Sequence, residues 1–283
     1  MKVVIVGGVA GGASAAARLR RLDEHAEIVM FERGEFISFA NCGLPYYIGG
    51  DIEDRDELEL QTPESFRDRF NVDARVLSEV IEIDRTGKQI KVRNIKTGEV
   101  YSEQYDKLIL SPGAKPIVIP IEGVSNPRVF MIRTIPDTVK VKEYIEIERP
   151  DSAVVIGGGY IGIEMAENLR KAGLEVTVVE AADHVIAAID RDMACDVHNY
   201  MRKKGIRLLL SNGLTSIKDK EVSQGTKDPR GEKETGEEKE TKGKLVLELQ
   251  KGAIQTDMVI MAVGVRPESE LAIAAGLECN EGG

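Results

Sequence analysis

The sequence predicts an α/β fold made of two similar three-layer units, the second inserted in the first, together with a small antiparallel meander. A β-branched run, a glycine-rich turn, a helical pattern and a second apolar run follow one another near the N-terminus. The same order returns later, with its first glycine at Gly157 instead of Gly7, an offset of 150 residues. Near-continuous apolar runs of this kind are typical of buried parallel strands. Residues 72–100 alternate apolar and polar side chains, which predicts the meander.

Composition narrows the possible functions. The 283 residues are enough for two domains with buried cores, and the net charge of −10 argues against nucleic acid as a partner. No apolar run approaches the roughly 18 residues of a membrane span. The chain enters a strand at its first residues without a signal-peptide pattern, so we expect a cytoplasmic protein with no membrane partner. An odd number of cysteines without CxxC spacing, and histidines that lie far apart, predict neither disulfides nor a metal site; these residues are Cys42, Cys195, Cys279, His25, His184 and His198.

The first unit has the pattern of a dinucleotide-binding site. A β-branched strand leads into the turn 7–12, GGVAGG, and then into a helix predicted at residues 13–22. The second strand, residues 28–31, ends at Glu32, 20 residues after the last glycine of the turn. In such a unit, backbone amides and a helix N-terminus meet a pyrophosphate, and the acidic residue holds a ribose hydroxyl. Val9 departs from the GxGxxG pattern, and the spacing to Glu32 supports the assignment despite this departure.

A single cysteine, Cys42, lies among small and polar residues in the segment 38–47, SFANCGLPYY. Gly43 permits a close approach of the backbone, and Pro45 fixes the chain beyond the sulfur. A short helix that starts near Pro45 would direct unpaired N–H groups toward the sulfur and favour a thiolate. The segment therefore predicts a reactive thiol, with an ordinary turn that carries an inert cysteine as the alternative.

A capped helix, the meander and a small-residue turn follow the cysteine segment. We expect Thr62 to cap a helix that has Pro63 at its first position. The meander has turn signals at Thr86-Gly87 and Thr97-Gly98. A buried strand then opens into the turn 111–114, SPGA, which suits close passage beside a flat cofactor or is simply a strand end.

The second unit carries a complete GxGxxG pattern, residues 157–162, between an apolar strand and a helix predicted at residues 163–172. The following strand, residues 176–179, ends at Glu180. Two such patterns in tandem, each with an acidic strand end, indicate a chain that binds two dinucleotides. Two alanines follow Glu180, and no arginine is placed to receive a 2′-phosphate, so NADH is favoured over NADPH.

These two units, the cysteine segment, the 111–114 turn and the sequence Gly264-Val265-Arg266-Pro267 together resemble a known family. The family is that of the single-cysteine pyridine nucleotide-disulfide oxidoreductases. The members that this sequence resembles are the coenzyme A disulfide reductases, including rhodanese-fused forms, and the related NADH oxidases and CoA-persulfide reductases. The segment around Cys42 is the most specific part of the resemblance.

The resemblance implies two Rossmann-like domains that bind FAD and NAD(P)H. Residues 1–118 would form the first part of an FAD-binding domain. Residues 119–252 would form the NAD(P)H-binding domain, with a charged insertion at about 219–243. Residues 253–283 would return to the FAD-binding domain and leave it incomplete, and a C-terminal dimerisation domain would be absent.

The resemblance also implies the site residues. FAD would be bound by Gly7, Gly11, Gly12, Glu32 and Ala114. NADH or NADPH would be bound by Gly157, Gly159, Gly162 and Glu180, with Tyr160 as a ring that covers the flavin until nicotinamide displaces it. A CoA substrate would contact Ser14, Arg18, Arg21, Ser38 and Asn41. Arg18 and Arg21 share one face of the first helix, where they either pair with CoA phosphates or form a solvated face.

The family's chemistry would depend on Cys42. Dithiol relatives use a C-x4-C spacing, and Tyr47 occupies the second position here, so Cys42 would cycle through a mixed disulfide, a persulfide or a sulfenic acid. Electrons would pass from NADH through FAD into a Cys42–S–S–CoA bond. The CoA thiol would leave, and the Cys42 thiolate would be regenerated.

Three functions remain open from the sequence. The main one is an FAD-dependent reductase of CoA disulfide or CoA persulfide. The second is an NADH oxidase or peroxidase that uses a Cys42 sulfenic acid. The third is a non-catalytic nucleotide-binding fragment, since family members normally continue into a segment that closes the FAD site and into a dimerisation domain. A homodimer is accordingly an expectation for full-length members.

Overall fold

The computed structural model describes residues 1–220 and 244–280. The insertion predicted at about 219–243 therefore lies outside the described residues, apart from its first two positions. The described chain forms two three-layer α/β units, as the sequence predicts. Across both ranges, no helix combines the length and the apolar character needed to cross a bilayer.

The first unit contains a four-stranded parallel sheet, an antiparallel meander and helices. In chain order its elements are β1 (Lys2–Val6), α1 (Ala10–Leu22), β2 (Glu27–Phe31), α2 (Leu44–Gly49), α3 (Pro63–Phe70), β3 (Asp73–Arg75), β4 (Ser78–Asp84), β5 (Gln89–Asn94), β6 (Val100–Gln104) and β7 (Lys107–Leu110). The parallel sheet has the strand order β3-β2-β1-β7, and the meander has the order β4-β5-β6. A 3₁₀ turn, Asn41–Gly43, directly precedes α2.

Alternate side chains of the parallel sheet enter two different cores. Ile5 and Ile28 pack in a core with α1 and α3, whereas Val6 and Phe31 pack in a core with the meander. All four are buried. Because both faces of the sheet are covered, β1 and β2 carry apolar residues at almost every position. The layers are therefore helices, parallel sheet and meander.

The first unit differs from expectation in two places. Residues 73–75, expected in the meander, pair parallel to β2 and form an edge strand of the parallel sheet. Helix α1 begins at Ala10, three residues earlier than predicted, because the last two glycines of the turn already form its first helical turn. The first predicted meander turn is confirmed, since Asp84 Oδ1 accepts hydrogen bonds from the backbone N–H groups of Thr86 (3.0 Å) and Gly87 (2.8 Å).

The predicted start of α3 is also confirmed. Thr62 Oγ1 accepts a hydrogen bond from the backbone N–H of Ser65 at 3.1 Å, and Ser65 Oγ accepts one from the backbone N–H of Thr62 at 2.9 Å. This reciprocal capping box satisfies two N–H groups at the helix start, with Pro63 in the first turn.

The second unit repeats the three layers. The elements that follow β7 are β8 (Ala114–Pro116), β9 (Val129–Phe130), α4 (Ile135–Glu148), β10 (Ser152–Ile156), α5 (Tyr160–Lys171), β11 (Glu175–Val179), α6 (Arg191–Lys203), β12 (Arg207–Leu209), β13 (Leu214–Asp219), β14 (Leu245–Leu249), β15 (Gly252–Thr256), β16 (Met258–Met261), β17 (Val265–Pro267) and α7 (Glu270–Ala274). The parallel sheet has the order β12-β11-β10-β16-β9. Helices α4, α5 and α6 cover one face, and the antiparallel sheet β13-β14-β15 covers the other. Helix α5 begins at Tyr160, three residues before the predicted start.

The chain crosses between the units along a two-stranded ribbon, β8 paired with β17. The residues Val265–Pro267, part of the sequence that carries the family resemblance, form β17. Strand β16 pairs parallel to β10, so it belongs to the sheet of the second unit, and the chain returns later than the boundary at residue 253 suggested by the sequence. After the ribbon, Leu271 of α7 packs against the meander core of the first unit.

Candidate active site

The first glycine turn joins β1 to α1 with no room for side chains at two positions. Gly7 has a φ of +94°, and a Cβ on it would lie 1.9 Å from the carbonyl oxygen of Ser111. A Cβ on Gly12 would lie 1.7 Å from the carbonyl oxygen of Gly7. Both positions therefore require glycine, and the start of α1 lies directly against the turn. Such an arrangement leaves the first N–H groups of the helix available to a phosphate.

The acidic end of β2 is held against this turn. Glu32 accepts hydrogen bonds from the backbone N–H of Gly8 at 2.8 Å, through Oε2, and from that of Gly34 at 2.7 Å, through Oε1. Each carboxylate oxygen keeps a further lone pair for a ligand hydroxyl. The turn and the carboxylate thus have the relation that a pyrophosphate and its ribose require.

A cavity of about 1060 Å³ extends from the first turn to the cysteine segment. Its volume is near the upper end of the roughly 300–1,000 Å³ usual for small-molecule sites, which suits a ligand as large as a dinucleotide. The cavity brings together most of the residues predicted for the first cofactor and the predicted catalytic cysteine; its lining includes Gly7, Gly11, Glu32, Cys42 and Ala114. Gly12 is buried behind the turn.

Cys42 lies in the 3₁₀ turn Asn41–Gly43, and the residue is exposed. A helix was expected near Pro45, and α2 begins one residue earlier, at Leu44. The backbone N–H of Ser38 donates a hydrogen bond to the carbonyl oxygen of Gly8 at 2.9 Å. The segment that carries the thiol is therefore attached to the first glycine turn itself.

The second glycine turn repeats the first one and adds an open position. A Cβ on Gly162 would lie 2.0 Å from the carbonyl oxygen of Gly157, which has a φ of +106°. A Cβ on Gly159 would meet no atom within 4 Å, so the backbone there is open to a ligand. Glu180 matches Glu32, because its Oε2 accepts a hydrogen bond from the backbone N–H of Gly158 at 2.6 Å.

The first two turns of α5 contribute to the cavity in a way the sequence did not indicate. Tyr160, the predicted covering ring, is 62% exposed and does not line the cavity. Ile161 and Glu164 of the same helix do line it. Burial raises the pKa of Glu164 above its ordinary value, and the neighbouring Glu167 raises it further. Glu164 lies one helical turn beyond Tyr160, and that spacing was the available signal for it.

A buried histidine supports the second turn. The backbone N–H of Val185 donates to Nε2 of His198 at 3.2 Å, and a Cβ on Gly158 would lie 2.8 Å from Cγ1 of Val185. Nε2 accepts a hydrogen bond only in the neutral ring. Burial lowers the pKa of His198, and the nearby Arg202 lowers it further. No three His, Cys, Asp or Glu side chains in the described ranges come together as a metal site.

The residues predicted to bind CoA lie in two places. Asn41 lines the cavity beside Cys42, whereas Ser14, Arg18, Arg21 and Ser38 do not. Ser14, Arg18 and Arg21 are exposed on α1. Arg20, between the two predicted arginines, donates hydrogen bonds to five backbone carbonyl oxygens and has a structural role that the sequence did not reveal.

One group of charged residues around the cavity was missed entirely. The side chain of Glu268 is 11% exposed. Its Oε1 accepts hydrogen bonds from Nη2 of Arg33 at 2.5 Å and from Nη1 of Arg133 at 2.8 Å. All three residues line the cavity. Arg33 lies 235 residues and Arg133 lies 135 residues before Glu268, so no local sequence pattern connects them.

Comparisons with known proteins agree with this arrangement. The family model for pyridine nucleotide-disulphide oxidoreductases matches residues 1–283. A coenzyme A disulfide reductase of Staphylococcus aureus strain JH9 is 33% identical over all 283 residues, which cover 58% of that protein. Two solved structures superpose with a TM-score of 0.87: reduced Bacillus anthracis CoADR-RHD, at 50% identity, and a NAD-dependent persulfide reductase from A. fulgidus, at 35% identity.

The chain spans 50–58% of the length of the curated relatives it matches. It covers 47% of the B. anthracis chain and 48% of the A. fulgidus chain, while those structures cover 100% and 99% of it. The match of the family model along the whole sequence, together with the two glycine turns and the cysteine segment, leads to one conclusion. This chain belongs to the pyridine nucleotide-disulphide oxidoreductase family.

Proposed function

We propose that this chain is the nucleotide-binding part of an FAD-dependent oxidoreductase that passes electrons from NADH, through Cys42, to CoA disulfide or CoA persulfide. The observation that supports it most directly is the shared cavity, in which the first glycine turn, Glu32 and Cys42 meet. The relatives named for CoA disulfide and persulfide reduction support this class of substrate.

The residues of the cavity fit FAD. Gly7 and Gly12 hold the turn and the start of α1 so close that backbone N–H groups can contact a pyrophosphate. The free lone pairs of Glu32 suit ribose hydroxyl groups, and the small residues around Ala114 leave room for a flat ring. When bound, FAD supplies two-electron transfer between a nicotinamide and a disulfide. The part of the protein is to hold that cofactor and the Cys42 thiol in one cavity.

The second turn fits a nicotinamide nucleotide. Gly162 keeps α5 against the strand, and the open backbone at Gly159 leaves space for a pyrophosphate. Glu180 would hold the adenosine ribose and repel a 2′-phosphate, which favours NADH over NADPH. Tyr160, exposed at the start of α5, is the side chain proposed to cover the flavin before nicotinamide enters.

Cys42 would exchange one disulfide for another. Its thiolate attacks a sulfur of CoA disulfide, so that a Cys42–S–S–CoA bond forms, the CoA–S–S–CoA bond breaks and one CoA thiolate leaves. Two electrons then break the mixed disulfide, which releases the second CoA thiolate and restores the Cys42 thiolate. With CoA persulfide, attack on the outer sulfur gives a Cys42 persulfide and CoA thiolate, and reduction releases hydrosulfide. Tyr47 at the second position of the dithiol spacing leaves no internal disulfide to compete.

The proposal also includes the substrate contacts, the domains, the location and the assembly of the protein. The exposed Arg18 and Arg21 would pair with CoA phosphates, with Ser14, Ser38 and Asn41 as further contacts. The domains are an FAD-binding domain formed by both ends of the chain and an inserted NADH-binding domain. We keep the cytoplasm as its location, since reduced thiols persist there, and a homodimer as the expected assembly of full-length members.

The alternative function is that of an NADH oxidase or peroxidase. It is favoured by the exposure of Cys42, since an accessible thiolate can be oxidised to a sulfenic acid. A non-catalytic nucleotide-binding fragment would carry the same turns without turnover.

The test is NADH-dependent reduction of CoA disulfide by the chain supplied with FAD, in wild type, Cys42→Ser and the matched control Cys195→Ser. Cys195 is also an exposed cysteine, on α6 and outside the cavity. We expect wild type and Cys195→Ser to produce CoA thiol at equal rates and Cys42→Ser to produce none. Full activity of Cys42→Ser would overturn the proposed role of the thiol, and activity toward oxygen or peroxide alone would select the oxidase.

A further inference from the structure

Helix α2, which follows Cys42, belongs to the first unit by sequence but lies on the second unit. A Cβ on Gly49 would lie 2.2 Å from Oδ1 of Asn168 on α5, so the two helices are in close contact. Just after α2, Asp51 forms an ion pair with Lys171, also on α5. The segment that carries the thiol is thus supported by the helix that starts at the second glycine turn.

A lysine of α4 completes this support. Nζ of Lys142 donates a hydrogen bond to the carbonyl oxygen of Tyr47 at 2.8 Å and lies 4.0 Å from the centre of the Tyr47 ring. One ammonium group thus holds both the backbone and the side chain of the same residue, five positions after Cys42. The same carbonyl oxygen accepts only a long backbone hydrogen bond, 3.4 Å from the N–H of Gly50, and a cation is favourable at the C-terminal end of a helix.

Ile48 of α2 packs in one core with α4 and α5, and among the polar contacts of α2 with the second unit, that of Lys142 is the strongest. The Asp51–Lys171 pair is about half exposed on both sides, and such pairs contribute little. The Gly49–Asn168 contact limits how closely the helices approach but adds no hydrogen bond between them. Lys142 is only partly exposed, and it combines a charge-assisted hydrogen bond with a cation–π contact.

We propose that Lys142 is a positioning residue for Cys42: it fixes α2 on the second unit and thereby holds the thiol in the cavity. The expected effect on the reaction rate rests on the proposed function, whereas the expected effect on the position of α2 rests on the contacts alone. Since Lys142 does not line the cavity and lies outside both glycine turns, its loss should leave nicotinamide binding unchanged. Only the transfer of electrons to the disulfide should become slower.

The variants are Lys142→Met, which keeps the length of the side chain and removes its charge, and Lys142→Arg, which keeps a cation and N–H donors. Lys140→Met is the matched control, because Lys140 is an exposed lysine of the same helix. The first readout is hydrogen exchange of the α2 backbone in the chain as purified. We expect exchange at least fivefold faster in Lys142→Met than in Lys140→Met, and exchange near the wild-type rate in Lys142→Arg.

The second readout separates the two half-reactions of the FAD-loaded chain. We expect Lys142→Met to slow reoxidation by CoA disulfide at least fivefold, while reduction by NADH stays within twofold of wild type and Lys142→Arg recovers most of the loss. Equal slowing of both half-reactions, or exchange in Lys142→Met no faster than in the control, would overturn the inference. If the wild-type chain reduces no CoA disulfide, the proposed function fails, and the exchange experiment still decides the role of Lys142.

Discussion

The last two glycines of the second turn, Gly159 and Gly162, allow a test that separates fold from ligand binding. In Gly162→Ala the new methyl group would lie 2.0 Å from a backbone carbonyl oxygen, which cannot move without displacing β10 or α5. Overpacking of this kind costs about 1–3 kcal/mol or more. At about 2–4 °C per kcal/mol for chains approaching this size, the melting temperature should fall by at least about 2 °C.

Gly159→Ala should have the opposite profile. Gly159 has a φ of −75°, which any residue adopts, and its Cβ would meet no atom within 4 Å. Alanine is a poorer N-cap than glycine by some tenths of a kcal/mol, and it reduces the entropy of the unfolded chain by a similar amount, so stability should change little. The methyl group would occupy the space assigned to a pyrophosphate, and NADH should bind at least about tenfold more weakly, or about 1.4 kcal/mol.

Thermal unfolding without nucleotide and NADH titration by calorimetry measure both effects. Each variant serves as the control for the other, because the substitution is the same and the positions are three residues apart. If Gly159→Ala lost as much stability as Gly162→Ala, or bound NADH as tightly as wild type, the assignment of the open space to a ligand would be wrong.

Three further predictions follow from charged groups. Burial lowers the pKa of His198 from 6.5, so the unfolded chain takes up the proton at a higher pH than the folded chain, and the free energy of unfolding should fall as the pH drops below about 6.5. His198→Gln should remove this part of the pH dependence, as measured by urea unfolding at several pH values. An unchanged dependence of the unfolding free energy on pH would contradict the prediction. Glu268→Gln weakens the ion pairs of Glu268 with two arginines and should lower the free energy of unfolding, measured in urea, by about 1–3 kcal/mol. Glu270→Gln removes an exposed ion pair and should leave the urea midpoint unchanged, so equal effects of the two substitutions would contradict the prediction. Replacing Arg18 and Arg21 together by alanine removes two proposed phosphate contacts, so it should raise the KM for CoA disulfide at least about tenfold and leave the KM for NADH unchanged. An unchanged KM for CoA disulfide would show that both arginines only form a solvated helix face.

The sequence predicted the parts of the structure whose cause is local. Both glycine turns and the Thr62 cap depend on residues a few positions apart, and the acidic strand ends lie at a fixed spacing within one β-turn-α-β pattern; the structure confirms them as turns and caps. The boundaries of α1 and α5 were wrong by three residues because glycine after a turn was treated as a loop residue, although it can form the first turn of a helix. Residues 73–75 were placed in the meander because a three-residue edge strand is too short to show its own period.

The sequence did not predict how the candidate site is held together. The hydrogen bond from Ser38 to the first turn joins residues 30 positions apart, and the contact of Lys142 with Tyr47 joins residues 95 positions apart. The two ion pairs of Glu268 join residues 135 and 235 positions apart. Such contacts depend on tertiary packing within and between the two units, and that packing has no periodic signal in one sequence. The cavity between the first turn and Cys42 is a consequence of the same packing.

The visible absorption spectrum of the purified chain supplied with FAD, recorded without oxygen while NADH and then CoA disulfide are added, tests the proposed flavin site and the proposed reaction together. We expect a bound flavin band that NADH bleaches and CoA disulfide restores. A band that recovers only when oxygen is admitted would instead support the oxidase. A chain that binds no flavin even with excess FAD would contradict the claim that the cavity between the first glycine turn and Cys42 holds the cofactor.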